Sequence, residues 1–350
     1  MVAQKSHFFL SLIFFLFSSC SFFSSYNKTI VEHLIITPDP HGPQDFINSI
    51  TKAKKSIWMK MYHLSDPDVV EALLSAHKKQ IDIKIILDNR SLQESKFQKA
   101  YGQLKDAGID VRASSICFSI THEKSMIIDN KSAFITAINL TRSYDKTRNF
   151  GIITEDSDVI NEMHDVFLAD WQNAISNTCK TPLLHAPNLI WSPVNSEERL
   201  ATLIRAASYH LAVTVENLGN KKIQAALIEM ASQGVDIKLI VPQCDRNENP
   251  LFNYSFINKL LLANVKIKVM PQPSSAEHPY MHSKMILVDN RIAYVGSTNF
   301  SNNSLLKARE LGIVFSDEEA VQKMNEVFQK DWSVAIDPVP LHVGFCLEVN

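Results

Sequence analysis

The sequence predicts an α/β fold in which two tandem, similar lobes form a pseudo-two-fold sandwich. Two observations support this fold class. Apolar, β-branched runs typical of strands alternate with amphipathic stretches typical of helices, and blocks of sequence recur at a nearly constant spacing. A chain of 350 residues is long enough for two lobes. Its net charge of −2 argues against a dedicated nucleic-acid binder, which is usually basic, but leaves room for a local basic cleft.

An internal repeat divides the chain. Three blocks recur at offsets of 160 (282 − 122), 154 (235 − 81) and 161 (327 − 166) residues, so each repeat is the size of a domain. The paired blocks are HEKSMIID and HSKMILVD, from His122 and His282; IDIKIIL and VDIKLIV, from Ile81 and Val235; and VFLADW and VFQKDW, from Val166 and Val327. We assign residues 40–176 to the first half, 177–195 to a proline-marked linker, and 196–337 to the second half.

The periodicity of the first half predicts its helices and strands. Apolar residues at helical spacing indicate helices, and short apolar runs indicate buried strands. Asp66 suits an N-cap followed by Pro67 in the first turn, and Gly108 suits the residue that closes a helix. In chain order we predict a helix over Phe46–Lys55, a strand over Ser56–Tyr62, a helix over Pro67–Lys79, a strand over Ile81–Leu87, a helix over Ser91–Ala107, a strand over Ile109–Arg112, a strand in the octet from His122, a strand over Ser132–Ile138 and a helix over Asp158–Ala174.

The first 20 residues have the layout of an export signal. One lysine precedes an apolar core from Phe8 to Phe17, and small residues precede Cys20. This core is short for a membrane span, which takes about 20 residues. FSSC is also similar to the acylation motif of bacterial lipoproteins, so residues 1–20 are predicted to be a signal peptide or a lipoprotein-type signal. An uncleaved anchor is the alternative. We expect an exported protein, whether secreted, periplasmic or a membrane-associated lipoprotein.

The later cysteines are scattered along the chain, at Cys117, Cys179, Cys244 and Cys346. They lack the C-x-x-C spacing of a zinc site, and we expect neither a metal nor another cofactor. Isolated buried thiols are the expectation. Export would permit disulfides, but the sequence does not pair them.

The repeated octet predicts a site for an anion. Residues two apart on a strand share a face, so His122 and Lys124 point the same way, as do His282 and Lys284. Imidazole can act as a nucleophile or a proton donor near neutral pH, and lysine supplies fixed positive charge for phosphate oxygens.

Each half supplies one imidazole. A substitution through a covalent intermediate needs a nucleophile and a separate acid for the leaving group, and two facing copies provide both. Asn139 and Asn299 each follow their histidine by 17 residues (139 − 122 and 299 − 282) and add amide donors. A single H-x-K-x4-D would be a weak signal. Two copies with matching asparagines favour chemistry over a repeat that is only structural.

With both octets and the segment GSTN at Gly296–Asn299, the chain resembles the phospholipase D superfamily, whose hallmark is a duplicated HxKxxxxD motif followed by GSxN. The resemblance covers about residues 40–335. It implies a bilobal α/β/α/β/α sandwich that hydrolyses or exchanges phosphodiesters without a metal, through a phosphohistidine. The site residues it implies are the catalytic His122, Lys124, His282, Lys284 and Glu310, the phosphate-binding Asn139, Asn299 and Ser297, and the structural Asp129 and Asp289.

The two halves depart from each other at this motif. The second half has Gly296–Ser297 where the first has Thr136–Ala137. Alignment of RNFGII with RELGIV makes Asn149 the counterpart of Glu310. One hydroxyl and one carboxylate are therefore missing from the first half, and a decayed half with little activity is one interpretation.

The family suggests a second interpretation, because its acidic residue after one motif typically orients the histidine of the other. Glu310 is then expected behind His122, whereas His282 has Asn149 or Asp145 behind it. A carboxylate fixes the imidazole tautomer and stabilises its charged form. On this hypothesis His122 is the nucleophile and His282 is the general acid.

Two segments beside the first octet bear on the substrate. We expect SSICFSIT to be a buried strand, and an apolar lip that meets acyl chains is the alternative. Its apolar residues are Ile116, Phe118 and Ile120. The loop TRSYDKTRN has basic residues that either hold a second phosphate or lie in solvent, namely Arg142, Lys146 and Arg148.

Together these features favour a phospholipase D-like phosphodiesterase that hydrolyses membrane phospholipid. The alternatives are a metal-independent nuclease of the same superfamily, a phosphatidyl transferase of the cardiolipin synthase type, and a non-catalytic phosphate-binding protein. The expected partner is a phospholipid substrate or a membrane surface. Nucleic acid is the second possibility, and no obligate protein partner is implied.

Overall fold

The computed structural model describes residues 29–176, 178–244 and 254–338. The signal predicted over residues 1–20 and Cys346 lie outside these ranges. The strands are β1 (His33–Thr37), β2 (Ser56–Met61), β3 (Asp82–Leu87), β4 (Asp110–Ala113), β5 (Lys124–Ile128), β6 (Ser132–Thr136), β7 (Thr147–Thr154), β8 (Leu189–Ser192), β9 (His210–Thr214), β10 (Asp236–Pro242), β11 (Lys266–Met270), β12 (Tyr280–Met281), β13 (Met285–Val288), β14 (Ile292–Gly296) and β15 (Glu310–Phe315).

The helices alternate with these strands. They are α1 (Gln44–Lys52), α2 (Pro67–Lys78), α3 (Ser95–Asp106), α4 (Ser157–Ser176), α5 (Ser196–Arg205), α6 (Lys221–Ser232), α7 (Tyr254–Leu262), α8 (Asn302–Leu306) and α9 (Glu318–Val334), with a short 3-10 helix at Ser91–Gln93. Asp66 caps α2 as predicted, because its carboxylate accepts from the backbone N–H groups of Asp68 and Val69. Gly108, at φ +89°, follows α3 in the left-handed region that glycine favours.

The two sheets have the same topology. The strand order is β1-β7-β6-β5-β2-β3-β4 in the first sheet and β8-β15-β14-β13-β9-β10-β11 in the second. In each order the last three strands run parallel and the others antiparallel. In addition, β12 from the second half pairs with β7 of the first sheet. The predicted fold of two tandem α/β lobes is confirmed.

Three apolar clusters give the molecule its layers. One lies between the first sheet and helices α1 to α3, and another lies between the second sheet and helices α5 to α7. The third joins both sheets with α4 and α9. Alternation along β5 shows the arrangement, since Met126 and Ile128 face the outer cluster and Ile127 faces the middle one. Strands covered on both faces are continuously apolar, which explains the apolar runs in the sequence.

Reciprocal ion pairs join the halves beside the middle cluster. Arg148 of β7 donates to Asp331 of α9 at 2.6 and 2.8 Å, and Arg309 donates to Asp170 of α4 at 2.8 Å. All four residues are buried. Each arginine and each aspartate has its partner in the repeat at an offset of 161 residues (309 − 148 and 331 − 170). The pairs therefore follow the pseudo-two-fold relation, and each crosses from one half to the other.

The repeat is not exact around Asp170. Lys60 lies 2.9 Å from Asp170 and 2.8 Å from Glu123, and all three are buried. At the corresponding place in the second half, the hydroxyls of Thr214 and Ser283 are 2.5 Å apart. The first half thus has a buried ionic network where the second half has a neutral hydrogen bond.

The aspartates that end the two octets accept backbone hydrogen bonds at hairpin turns. The Asp129 carboxylate accepts from the backbone N–H groups of Lys54, Lys55 and Ser56. Asp129 and Asn130 have φ values of 55° and 53°, as a tight hairpin turn requires. Partial burial acts to raise the pKa of Asp129, but the backbone hydrogen bonds outweigh it and hold this pKa below the usual range.

Asp289 repeats this contact in the second half. Its carboxylate accepts from the backbone N–H groups of Ser208, Tyr209 and His210 at 2.8 Å each. Asp289 and Asn290 also have positive φ values. Each octet therefore ends in an aspartate that ties the hairpin to the start of the neighbouring strand.

Several sequence-based boundaries differ from the structure. The octet strand begins at Lys124, two residues later than predicted, because the backbone N–H of His122 donates to Arg309 in the other half. The segment predicted as a linker contains β8, which pairs with β15 of the second sheet. The helix predicted over Ser91–Ala107 is divided at Glu94, whose backbone is extended.

The expectation that the cysteines are isolated thiols is wrong. Cys117 and Cys179 form a disulfide that spans 62 residues of sequence, and Cys244 is also disulfide-bonded. The sequence does not predict this pairing because it depends on how the segment before the first octet folds back toward the end of α4.

The expectation of a buried strand over SSICFSIT is also wrong. After β4 the chain forms an irregular loop in which the Ile116 side chain is 75% exposed. The loop crosses to the other half, where Ser119 N–H donates to the carbonyl of Lys307 and the Phe118 ring lies 4.2 Å from the Arg309 guanidinium. Pairing with the other half takes the place of a strand within the first sheet.

Asp331→Asn is predicted to destabilise the protein by about 3–5 kcal/mol, because it leaves the buried Arg148 guanidinium without its counter-charge. Denaturant-induced unfolding measures the change. Glu326→Gln on the exposed face of the same helix is the matched control, since its ion pair with Lys323 lies in solvent. Equal unfolding free energies for Asp331→Asn and the control would contradict a role of this pair in joining the halves.

Candidate active site

The two octets meet between the halves. The backbone N–H of His122 donates to the carbonyl of Arg309 at 2.9 Å, and that of His282 donates to the carbonyl of Arg148 at 3.2 Å. Both histidines and both octet lysines are buried. Each octet is therefore positioned by the arginine-bearing segment of the other half, and the residue after each arginine lies next to a histidine.

Glu310 is that residue for His122. His122 Nδ1 lies 2.8 Å from Glu310 Oε2, which is the contact predicted from the repeat alignment. Ser304 Oγ donates to the other carboxylate oxygen. Burial acts to raise the pKa of Glu310, but His122, Lys124 and the Ser304 hydroxyl outweigh it and hold this pKa below its usual range. Glu310 is thus an ionised, fully hydrogen-bonded carboxylate.

His122 is neutral beside this carboxylate. Burial lowers the pKa of His122 below its ordinary value of 6.5, and the charges of Lys124 and Lys284 act in the same direction, against the opposing effect of Glu310. Since Glu310 accepts the proton on Nδ1, the lone pair lies on Nε2. His122 Nε2 makes no hydrogen bond within the described ranges of the chain. An imidazole in this state can serve as a nucleophile.

The ring of His122 is also held by an aromatic neighbour. The rings of Tyr62 and His122 make an edge-type contact, with centroids 4.6 Å apart, and Tyr62 also stacks on His63. The Lys124 Nζ lies 4.9 Å from the centre of the Tyr62 ring. Tyr62 comes directly after β2, so the first sheet itself sets its position.

His282 has a different partner. Its Nδ1 lies 2.6 Å from Asn149 Oδ1. The Asn149 amide nitrogen donates to the hydroxyls of Thr147 and Thr37, which fixes the amide so that its oxygen faces the imidazole. The Nδ1–H group of His282 therefore donates a hydrogen bond to a neutral acceptor. Asn149, rather than the exposed Asp145, stands behind His282.

The two lysines bring positive charge to both sides of the site. The Lys124 and Lys284 ammonium groups each donate to the backbone carbonyl of their own histidine at 2.5 Å. The charge of Lys284 also acts to lower the pKa of His122 in the other half. Two buried cations at one place are suited to a phosphate group.

The asparagines occupy unlike surroundings. Asn139 is buried, and its side-chain oxygen makes no hydrogen bond to the part of the chain that the structure describes. Asn299 accepts from the backbone N–H of Asn217 at 3.1 Å and points its amide nitrogen toward Glu216 Oε2 at 3.4 Å. Among the described residues, the side-chain oxygen of Asn139 thus has no hydrogen-bond partner, whereas that of Asn299 accepts a hydrogen bond from the backbone.

Two residues considered as phosphate contacts have other roles in the structure. The buried Ser297 hydroxyl accepts from the backbone N–H of Leu311 and contacts its carbonyl, so it holds β14 against β15. Arg148 is buried and paired with Asp331, so it cannot reach a second phosphate. The first contact follows from the pairing of β14 with β15, and the second from the packing of α9 against the first half.

The departure from Gly-Ser in the first half is accommodated locally. Thr136 pairs with Gly151, where a Cβ atom would lie 2.5 Å from Thr136 Cγ2. In the second half Gly296 faces Gly312, and the Tyr294 ring occupies the space beside that glycine. In each half a side chain therefore fills the space beside a glycine: Thr136 beside Gly151, and Tyr294 beside Gly312.

One candidate residue was not found from the sequence. Glu216 directly follows β9, and its carboxylate lies 2.9 Å from Lys284 Nζ and 3.4 Å from His282 Nε2. The repeat alignment could have indicated Glu216 as a site residue. Glu216 falls 154 residues (216 − 62) after Tyr62, the residue that packs against His122.

The described residues contain neither a cluster of metal-ligating side chains nor a helix suited to span a membrane. Across residues 29–176, 178–244 and 254–338, no three side chains of the metal-ligating types converge to form a cation site. Within the same ranges, no helix combines the length and hydrophobicity that a bilayer span requires.

Glu310→Gln is predicted to lower the pKa of His122 further, because Glu310 stabilises the imidazolium while burial and both lysines oppose it. A histidine NMR titration, with the His122 signal assigned by its loss in His122→Ala, measures this pKa. The wild-type value is expected below 6.5, and that of the variant lower still. Glu326→Gln is the matched control. A pKa that rises in Glu310→Gln would contradict the described electrostatics.

Comparison with known proteins identifies the family. A family model described as "Cardiolipin synthase, PLD-like domain" matches residues 46–171 and 200–332, one match in each half. A cardiolipin synthase of Clostridium perfringens (strain SM101 / Type A) is 26% identical over 332 residues, covering 83% of this chain and 68% of that protein. A phospholipase D of Rickettsia conorii is 35% identical over 136 residues, covering 38% of this chain and 64% of that protein.

Solved structures show the same fold. A phosphatidylserine synthase of Haemophilus influenzae Rd KW20 superposes with a TM-score of 0.66 at 12% identity, covering 88% of this chain and 87% of that chain. A polyphosphate kinase of Porphyromonas gingivalis gives a TM-score of 0.65 at 14% identity, and the match spans 87% of this chain and 48% of the kinase. Because the family model matches both halves, the chain belongs to the phospholipase D superfamily, with two PLD-like domains of the kind named for cardiolipin synthase.

Proposed function

We propose that this protein transfers a phosphatidyl group from one phospholipid to an alcohol on another, as a cardiolipin synthase does. The observation that carries the proposal is the pair of buried imidazoles, one from each half, which differ in their partners. The choice of transfer rests on similarity to cardiolipin synthases over 83% of the chain. Hydrolysis, the main expectation from the sequence, becomes the second candidate, supported by the shorter match to a phospholipase D.

In the first proposed step, His122 Nε2 attacks the phosphorus of a phosphodiester. The neutral ring supplies the lone pair, and Glu310 stabilises the positive charge that the ring gains. As the N–P bond forms, the bond from phosphorus to the leaving alcohol oxygen breaks. His282 donates a proton to that oxygen, and the products are an alcohol and a phosphohistidine.

In the second proposed step, an incoming alcohol replaces the histidine. His282, now neutral, accepts the proton of the alcohol while its oxygen attacks phosphorus and the N–P bond breaks. A glycerol hydroxyl of phosphatidylglycerol as acceptor gives cardiolipin, whereas water gives phosphatidate. The same residues can perform both reactions, so transfer and hydrolysis differ in which nucleophile reaches the intermediate.

The buried charges suit both steps. Lys124 and Lys284 offset the negative charge of the phosphate, and electrostatic stabilisation by such preorganised groups is usually a large part of catalysis. The Asn139 amide adds a polar group on the first-half side.

Replacing His122 with alanine is expected to lower the rate by at least about 10³-fold, since it removes the nucleophile.

Incubation with vesicles of labelled phosphatidylglycerol tests the proposal. The expected products are cardiolipin and free glycerol in equal amounts, in the presence of a chelator, with His122→Ala inactive. His41→Ala is the matched control, because His41 is exposed and distant from the octets in sequence. Phosphatidate without cardiolipin would establish hydrolysis in place of transfer. Cleavage of single-stranded DNA in a parallel reaction would favour the nuclease, and no turnover would favour a phosphate-binding protein.

We propose further that the protein works outside the reducing cytoplasm. The layout of residues 1–20 supports export. The disulfide-bonded Cys117, Cys179 and Cys244 also support it, since disulfides persist in oxidising compartments. Thiol alkylation before and after reduction, followed by mass spectrometry on protein from its native cells, tests this. Cys117 and Cys179 should react only after reduction. Alkylation of both without reduction would contradict the proposal.

A further inference from the structure

The Glu216 carboxylate lies among three hydrogen-bond donors of the second half, His282, Lys284 and Asn299. We call these three residues the donor set. Its Oε2 atom lies 2.9 Å from Lys284 Nζ, 3.4 Å from His282 Nε2 and 3.4 Å from Asn299 Nδ2. Of these groups, the proposed function places Lys284 against the substrate phosphate and His282 at its leaving oxygen, and the family resemblance implies that Asn299 binds the phosphate. One carboxylate oxygen therefore lies where a phosphate oxygen would meet all three donors.

The carboxylate is held in place. Tyr280 Oη donates to the other oxygen, Glu216 Oε1, at 3.1 Å, and Tyr280 belongs to β12, which pairs with β7 of the other half. The Glu216 side chain is only 14% exposed. A phosphate that enters the site is therefore expected to share the donor set with a fixed negative charge beside it.

The equivalent place in the first half is occupied by Tyr62 instead of a carboxylate. The Tyr62 ring lies 4.9 Å from Lys124 Nζ and makes an edge-type contact with the His122 ring. The two sides of the site thus treat an anion differently. The first half presents a cation against an aromatic ring, whereas the second half presents a cation that is already paired with an anion.

We propose that Glu216 is a specificity-determining residue that limits the charge of the bound phosphate group, so that monoanionic phosphodiesters are favoured over dianionic phosphate monoesters. This inference rests on the proposed function, in that the donor set must hold the substrate phosphate. Coulomb repulsion grows in proportion to the charge of the ligand, so the penalty on a dianion is twice that on a monoanion. A site limited in this way also releases a monoester readily.

Calorimetric titration of the whole protein with two soluble headgroup analogues tests the inference. Glycerophosphoglycerol carries one negative charge at pH 8, and glycerol 3-phosphate carries nearly two, because the second pKa of a phosphate monoester is about 6. The variant is Glu216→Gln, which keeps the size of the side chain. Glu229→Gln is the matched control, since Glu229 pairs with Arg205 at the surface of the same half.

Glu216→Gln should bind glycerophosphoglycerol roughly ten-fold and glycerol 3-phosphate roughly one hundred-fold more tightly than the wild type, if one charge contributes about a factor of ten. Glu216→Tyr, which copies Tyr62, should change the preference in the same direction. Equal changes for the two ligands, or none, would overturn the inference. If the binding changes occur but no lipid turnover is found, the proposed function fails and the role of Glu216 stands.

Discussion

The exchange of contacts between the halves at Arg148 and Arg309 is the constraint on which the site depends. A buried guanidinium must be paired, and each of these finds its carboxylate on the long helix of the other half. The following residue, Asn149 or Glu310, is then directed toward a histidine of the opposite octet. The contacts that pack the two lobes together therefore also position the site residues, and neither half alone contains a complete site.

The asymmetry of the site lies in where the carboxylates stand. Each imidazole has an acidic neighbour, but at a different ring nitrogen: Glu310 faces Nδ1 of His122, and Glu216 faces Nε2 of His282. The first arrangement leaves Nε2 of a neutral ring available for the proposed attack. The second places a negative charge beside the nitrogen that is proposed to exchange a proton with the substrate. A duplicated chain can thus give two copies of one motif different electrostatic surroundings by changing a few residues outside the motif.

Much of this organisation could be predicted from the sequence, because the duplication imposes it. The alignment of the halves located Glu310 and its counterpart Asn149, and apolar runs marked the strands that are covered on both faces. What escaped prediction depends on contacts between distant segments. The Cys117 disulfide and the irregular loop around Ile116 follow from how the chain crosses between halves. Glu216 is a single acidic residue after a strand, and only the convergence of the donor set around it gives it significance.

His122, whose imidazole is held by a carboxylate from the other half, is the residue that we propose attacks phosphorus. Rapid acid-free quenching of the enzyme with a phosphorus-labelled phospholipid, followed by peptide mapping of the labelled histidine, tests it most directly. The label is expected on the peptide that contains His122, and its yield should fall in Glu310→Gln. A phosphohistidine at His282 instead would contradict the assignment and would reverse the roles of the two halves.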